Sequence, residues 1–525
     1  MAETSGQAGK SERVLEAAVP LSQSVIWRLQ SDYYARRGLK AWTEDRVPSY
    51  ITNNPFIAEI YAGIVAAFVD DCLADGGSLP VSPKNPLGIL ELGAGTGKFA
   101  YLFLRRLMPL LAERNLPPQT VRYAMSDCSE ELLAYWRSNQ YLAEFTSSGV
   151  LEFELLRAGD QAAPAKPGSA PLVVVANYVF DSLPQDAFVV QDGQISEALV
   201  AASGGAAEDA PSLSDVRLSF TNAPLPPLRY AVPVWNNILE EYRERLPAAT
   251  IFFPSAALAL LQQLRGLSDG RMLVLAGDKG FAHEEELALT RGTPSLEFHG
   301  SGSCFSTMVN LHAISRLYAA TGGLALLPPK HFTTLNLCAF IARRPEAEFP
   351  RTCKAYAQAL EAFGPDDLFT LMGWLSAYLE NVSLSQALSI LRLTRWDTTA
   401  FQRLFPVIAP RLRNIGAERN DLRDAVLRVW ENRYPVEAGD NSLAFECAVV
   451  LLELKFYIEA AAMFEASATL LGSTAATSYN LGLCALGFND RAAALAHMTE
   501  ACRLDPAFEP ARKSRERLEK ELQQG

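Results

Sequence analysis

Apolar residues along this chain follow two rhythms, and the change between them falls near residue 350. Between residues 87 and 342, short apolar runs alternate with stretches whose apolar positions recur every three or four residues. A short apolar run closed by glycine or polar turn residues suits a strand buried on both faces, and the longer period suits a helix with one buried face. The predicted order is strand 88–92, helix 98–114, strand 121–126, helix 129–143, strand 150–155 and strand 171–176. It resumes with helix 255–266, strand 271–278 and helix 309–321. Such alternation predicts an α/β domain built on a doubly wound, mostly parallel sheet. LALLP (324–328) and TTLNLCAFIA (333–342) are close enough in sequence to pair antiparallel at one sheet edge. FVVQDGQISEALV reads as a hairpin turning at Asp192 and Gly193, within an insertion, 185–254, expected to lie over the sheet.

The flanks differ from this pattern. Residues 1–24 are polar and expected to be flexible. Residues 25–84 hold two amphipathic helical stretches parted by TEDRVPSYITNNP, and are expected to pack on a domain spanning 85–350. From 351 to 525 every periodic stretch is helical, and aligning 441–474 with 475–508 exposes a repeat of period 34. Ala448 then falls on Gly482, Ala460 on Ala494, Phe464 on Met498 and Ser467 on Ala501. Small residues let paired helices approach and large ones fill the space between, a pattern that resembles the tetratricopeptide (TPR) repeat and predicts an all-α domain binding a protein partner. Residue 472 departs from it, being Gly where the second unit has Pro506.

Charge narrows the partners. Lys and Arg total 47 against 59 Asp and Glu, a net −12, and no long basic block occurs, which argues against nucleic acid. Eight cysteines stand singly, with no C-x-x-C pair, as in a reducing compartment. The first residues lack a signal-peptide pattern, and no apolar run reaches the ~18 residues of a membrane span. A cytoplasmic protein without membrane contact is the expectation. The five histidines show no metal-ligand spacing, so no metal is expected.

Chemistry concentrates in ILELGAGTGKF (89–99), where a first strand meets a first helix. A phosphate-binding G-x-x-x-x-G-K-[ST] loop fails, because Leu92 and Phe99 occupy its first Gly and its Ser/Thr. A dinucleotide G-x-G-x-x-G fails because Lys98 replaces the third Gly. What remains, Glu91, Gly93, Gly95 and Gly97, resembles the first motif of Rossmann-like S-adenosylmethionine (SAM) methyltransferases. Glycines let backbone approach a ligand closely, and an acidic side chain can hold the ligand's ammonium group directly or through water. Asp127 ends the second strand, 30 residues beyond Gly97, where a ribose-binding acid is expected; capping the next helix is its alternative role.

ANYVFDSLPQDAF (176–188) resembles a motif of the MidA-like methyltransferases, whose mitochondrial members methylate an arginine of a respiratory complex I subunit. YITNNPFIAEIYAGIV, YAMSDCSEELLAYWRSNQYL, AGDKG and RGT with His299 resemble further family segments in the same order, over roughly residues 30–342. Tyr178 stands where the family has Glu, and Lys279 where it has Tyr. The [ND]-P-P-[YF] segment of methyltransferases acting on adenine or glutamine is absent. The resemblance implies SAM as cofactor, held by Glu91, Gly93, Gly95, Gly97, Asp127, Cys128, Asn177, Tyr178 and Thr52, with Asn54 beside it. Asp181, Asp278 and His299 are the candidate catalytic residues, the carboxylates orienting a cationic acceptor. Asp181 can instead serve only the turn before Pro184, and His299 a structural bond, while His312 lies on an apolar helix face and reads as core. The expected function is methylation of a protein side chain, with arginine the candidate, on a partner recruited by the repeats. A catalytically inactive adaptor and a small-molecule methyltransferase using 185–254 as a lid are the alternatives.

Overall fold

In the computed structural model, the described residues are 13–44, 50–75, 80–156, 170–204, 212–299, 302–330, 332–436 and 442–524. They form two units, Met1–Asn53 with Ile57–Asp366, and Asn54–Phe56 with Asp367–Gly525. In chain order the elements begin with β1 (Val14–Pro20), α1 (Val25–Arg37), α2 (Lys40–Thr43) and α3 (Pro55–Ala74). The α/β alternation follows as β2 (Leu87–Leu92), α4 (Lys98–Glu113), β3 (Val121–Asp127), α5 (Glu130–Ser138), α6 (Ala143–Ser147), β4 (Leu151–Leu155) and β5 (Leu172–Asn177). An excursion comprises β6 (Asp186–Gln191), β7 (Gln194–Gly204), β8 (Val216–Pro224), α7 (Pro233–Arg245) and β9 (Ala248–Phe253). Then come α8 (Ser255–Leu267), β10 (Met272–Asp278), β11 (Gly280–Phe281), α9 (Glu284–Leu287), β12 (Glu297–His299), β13 (Cys304–Ser306) and β14 (Val309–Asn310). The unit closes through α10 (Leu311–Ala320), β15 (Leu324–Leu326), β16 (Asn336–Ala342) and α11 (Pro350–Glu361).

The main sheet has the order β15-β16-β10-β5-β2-β3-β4. Its five strands from β4 to β10 are parallel, while β16 runs antiparallel to both β10 and β15 at one edge. Buried Leu90, Val174, Val274 and Phe340 from this sheet share a core with Ile238 of α7, Leu261 of α8 and Ile314 of α10. Fully burying such a side chain contributes roughly 1.5–3 kcal/mol. On α3 the side chains of Ile57, Ala58, Tyr61, Ala62, Val65 and Phe68 are all buried, as in a helix enclosed on all sides. Tyr61 meets Phe99 edge-on at 5.3 Å between ring centroids, and Phe103 of the same helix α4 lies against Tyr123 of β3.

The excursion is a second sheet. Its order is β1-β7-β6-β9, with β8 also on β7, and every pairing is antiparallel. Asp192 (φ 50°) and Gly193 (φ 72°) make the β6–β7 turn, the two positive φ values of a hairpin whose twist matches its strands. Phe188, Ile251 and Phe253 enter the main core from this sheet, while Ala187, Val200 and Phe252 join Leu21, Ile26 and Trp27 on its other side.

Three expectations need correction. The flexible stretch 1–24 holds strand β1, paired to β7 with two register breaks; residues 1–12 of it lie outside the described residues. The helix expected over 129–143 stops at Ser138, because the Asn139 side-chain oxygen accepts the Tyr141 N–H at 2.9 Å and makes a turn before α6. The loss of strand signals at 350 does not part the units, since α11 stays with the first: buried Asp71 accepts the Thr352 N–H and hydroxyl at 2.8 Å each, and the Tyr356 hydroxyl donates to the Leu337 carbonyl.

The second unit is helical: most of α12 (Pro365–Tyr378), then α13 (Leu384–Leu393), α14 (Thr398–Ile408), α15 (Arg419–Glu431), α16 (Ser442–Glu453), α17 (Tyr457–Leu471), α18 (Ala475–Gly487), α19 (Arg491–Leu504) and α20 (Glu509–Gln524). Gly482 is bare because a Cβ there would come within 2.7 Å of the Met498 methyl on α19. Ala485, Ala494, Met498, Ala501, Ala511 and Leu518 form one buried cluster across α18, α19 and α20. Among the described residues no helix is long and apolar enough to cross a membrane, and no group of three or more His, Cys, Asp or Glu is placed to hold a metal ion.

Candidate active site

The carboxyl ends of β2 and β3 carry the glycine loop. Gly93, Gly95 and Gly97 have φ of 62°, 54° and 78°, a region that side chains other than glycine's rarely allow. The loop is stapled from below: Ala94 N–H donates to the Ser126 carbonyl at 2.9 Å, Gly95 N–H to Asp127 Oδ2 at 3.2 Å, and Trp136 Nε1 to the Gly95 carbonyl at 2.9 Å. Asp127 is buried; its other oxygen accepts the Ser129 N–H at 3.2 Å, and Cys128 adds a further bond. Burial raises the Asp127 carboxyl above its usual range, and these bonds oppose the rise. The turn at Tyr50–Thr52, with Thr52 buried, precedes Asn53, whose amide donates to the Thr96 hydroxyl at 3.5 Å. Asn54 instead accepts the Phe56 N–H at 3.0 Å, at the start of α3.

Glu91 lies beneath the loop rather than at its open face. Its carboxyl accepts the Tyr123 hydroxyl at 2.9 Å within the core. Burial pushes it up to about 8, with Tyr123 opposing and the Asp127 charge adding.

The ends of β5 and β10 form an acidic counterpart. Asn177 Oδ1 accepts the Tyr61 hydroxyl at 2.6 Å, while its Nδ2 is buried without a partner among the described residues. Gly277 beside it must be glycine, since a Cβ would stand 2.8 Å from Asn177 Oδ1 and 2.9 Å from the Tyr61 hydroxyl. Tyr178 has φ 54°, its N–H donating to the Gly277 carbonyl at 2.9 Å and its hydroxyl to the Thr334 carbonyl at 3.3 Å. Asp278 is completely buried and accepts the Phe180 N–H at 3.1 Å, so it shapes the turn that presents Asp181. Burial raises its carboxyl well above the ordinary range and the Asp181 charge adds to this.

Asp181 keeps slight exposure, accepts the Ser182 hydroxyl at 2.9 Å, and is pushed by burial up to about 6; the Lys279 ammonium pulls it down and Glu297 raises it. Lys279 and Glu297 are ion-paired at the rim. His299 is turned to its own hairpin, its Nε2 bonded to Ser306 Oγ at 2.8 Å, and no hydrogen bond to Asp181 or Asp278 is found among the described residues. His312 bonds Tyr242 through Nδ1 at 2.9 Å.

The fold thus joins Gly93, Gly95, Gly97, Asp127 and Cys128 at one end, and Asn177, Tyr178, Asp181 and Asp278 at the other. Sequence reasoning missed Tyr34, Trp42, Glu297 and Thr307. Tyr34 on α1 faces Asp181 and Cys304, and burial with those two groups holds its hydroxyl above the usual range. Thr307 donates through N–H and hydroxyl to the Asp181 carbonyl, at 3.2 and 3.0 Å. Only Glu297 had a nearby signal, His299 two residues on.

These residues fit SAM. Gly93 is exposed, and the Asn177 amide has a donor to offer. Residues 78–324 match the model of a family described as "Putative S-adenosyl-L-methionine-dependent methyltransferase". Among solved structures, the chain is similar to a Burkholderia thailandensis protein bound to S-adenosyl-homocysteine, at 19% identity and TM-score 0.37, covering 74% of this chain and 84% of that one. A native structure of an uncharacterized Burkholderia thailandensis protein gives 18%, TM-score 0.34, and 74% and 83% coverage. The plantazolicin methyltransferase BpumL in complex with SAH gives 11%, TM-score 0.26, and 61% and 98%. No curated protein matches the chain. The chain is a SAM-dependent methyltransferase, and SAM is its cofactor.

Proposed function

We propose that this enzyme methylates a protein side chain, with the arginine guanidinium as acceptor. The observation that carries the reading is Asp181: a buried carboxylate at the sheet's carboxyl edge, flanked by Asp278 and Glu297 and compensated by one lysine ammonium. Such a place suits a cation with several N–H donors. When bound, SAM would supply a methyl group on a sulfonium: the acceptor nitrogen would bond the methyl carbon as the carbon–sulfur bond breaks and S-adenosyl-homocysteine leaves. Asp181 orients the acceptor nitrogen and takes the proton it sheds, which a carboxyl of about 6 can do near neutral pH. Asp278 positions Asp181 through the Phe180 turn, and burial excludes water that would compete for the donor N–H groups.

The 34-residue period of 441–474 and 475–508, with Gly482 seating Met498, supports a TPR-like array that recruits the protein substrate. The scattered free cysteines support a cytoplasmic setting. Incubating the enzyme with methyl-labelled SAM and cell lysate, then hydrolysing the labelled protein, is expected to yield methylated arginine. Asp181→Asn should abolish the label. Label confined to small molecules would overturn the reading and favour a small acceptor, a second reading supported by the α1 cover that brings Tyr34 to Asp181.

A further inference from the structure

We propose that Trp42 is a wall of the cofactor site and that its indole recognises the positive charge of SAM. Gly95 is bare beneath this side chain: a Cβ there would stand 3.1 Å from Trp42 Cζ2, 3.2 Å from Cε2 and 3.5 Å from Nε1. Both backbone polar groups of Gly95 are engaged, its N–H by Asp127 and its carbonyl by Trp136, which fixes the backbone that Trp42 packs on. Trp42 is half-buried whereas Gly93, two residues before Gly95, is exposed. The Trp42 side-chain N–H meets no acceptor among the described residues.

Its placement is built in. Trp42 N–H donates to the Leu39 carbonyl at 3.1 Å, and the Tyr34 ring lies 6.2 Å away between centroids. The bend between α1 and α2 is Gly38, at φ 47°, where any side chain would collide with Glu131 of α5. That helix starts three residues after Asp127, so the strand end expected to hold the ribose also sets where Trp42 stands.

An aromatic ring attracts a cation, and SAM carries its charge on the sulfonium beside the methyl group, whereas S-adenosyl-homocysteine is a neutral thioether at that atom. Attraction that ends when the methyl group leaves favours binding of the donor and release of the product. The test is isothermal titration of the full-length protein with SAM and, separately, with S-adenosyl-homocysteine. Trp42→Ala is expected to weaken SAM about tenfold and the homocysteine product about threefold or less, and Trp42→Phe to hold SAM within about threefold of wild type. Wild-type tryptophan emission should change on saturation with SAM, and Trp42→Phe should remove that change. Equal losses for both ligands would overturn charge recognition, and no loss for either would remove Trp42 from the site. Should Trp42→Ala fail to fold by circular dichroism, Trp42→Leu decides, since it keeps an apolar side chain without the ring: a loss of affinity for SAM no greater than that for S-adenosyl-homocysteine overturns the proposal.

Discussion

The two ends of the site are built from different physics. At β2 and β3 the ligand-facing groups are backbone, and three positive-φ glycines are stapled by bonds within a few ångströms of the loop itself. At β5 and β10 they are carboxylates, and their state depends on burial, on each other and on Lys279 and Glu297. The cofactor end is shaped by local backbone conformation, whereas the acceptor end is an electrostatic balance that can be moved. A methyltransferase uses both: the donor must be held in one geometry, and the acceptor must lose a proton.

Gly95→Asp should break the first end outright. It forces a side chain into a left-handed backbone, against Trp42, and sets a second carboxylate beside Asp127, so titration with SAM should show no measurable binding while the far-ultraviolet spectrum is unchanged. Asp181→Asn should break the other end without touching the first, lowering kcat by about 10²–10⁴ with the Kd for SAM preserved. In the wild type, activity should be lost as pH falls through about 6, because Asp181 must be ionised to accept the proton.

Glu91 sharpens the contrast within the cofactor end. Its folded-state value of about 8 is raised above the usual 4.5, so the neutral form is the one the fold favours. The stability this contributes is complete below about 4.5 and is lost as pH rises through about 8. Glu91→Gln keeps an acceptor for Tyr123 and should flatten the fall of Tm over that window, by a few degrees at pH 9. The smallest effect belongs to Lys279→Ala. Removing the ammonium that pulls Asp181 down should move the acidic limb of the pH–rate profile upward by about one unit or less.

Legibility followed sequence separation. The glycine loop was readable because its requirement is local: a strand end, a turn that only glycine makes, and a helix start, all within 89–99. The strands β2, β3, β5 and β10 were readable because parallel strands buried on both faces must be apolar throughout. Strand β1 was not, since its exposure pattern does not alternate and its partner β7 lies about 180 residues away. Tyr34 and Trp42 sit in an ordinary amphipathic stretch, and nothing near them in sequence points to Asp181 or Gly95. Glu91 was read as ligand-facing from the motif; only the neighbouring strand reveals that Tyr123 holds its carboxyl.

The sequence by itself determined which segments pair into a parallel sheet, where the glycine loop stands and which cofactor chemistry it suits, because those depend on hydrophobic period and on backbone freedom at single positions. Tertiary structure decided which carboxylates are buried together, which cation compensates them, and which aromatic residue covers Gly95. Proton affinity and ring contacts depend on distance in space, and these partners, Asp181, Asp278, Lys279 and Glu297 on one side and Trp42 and Gly95 on the other, come from separate segments of the chain that meet only in the folded state.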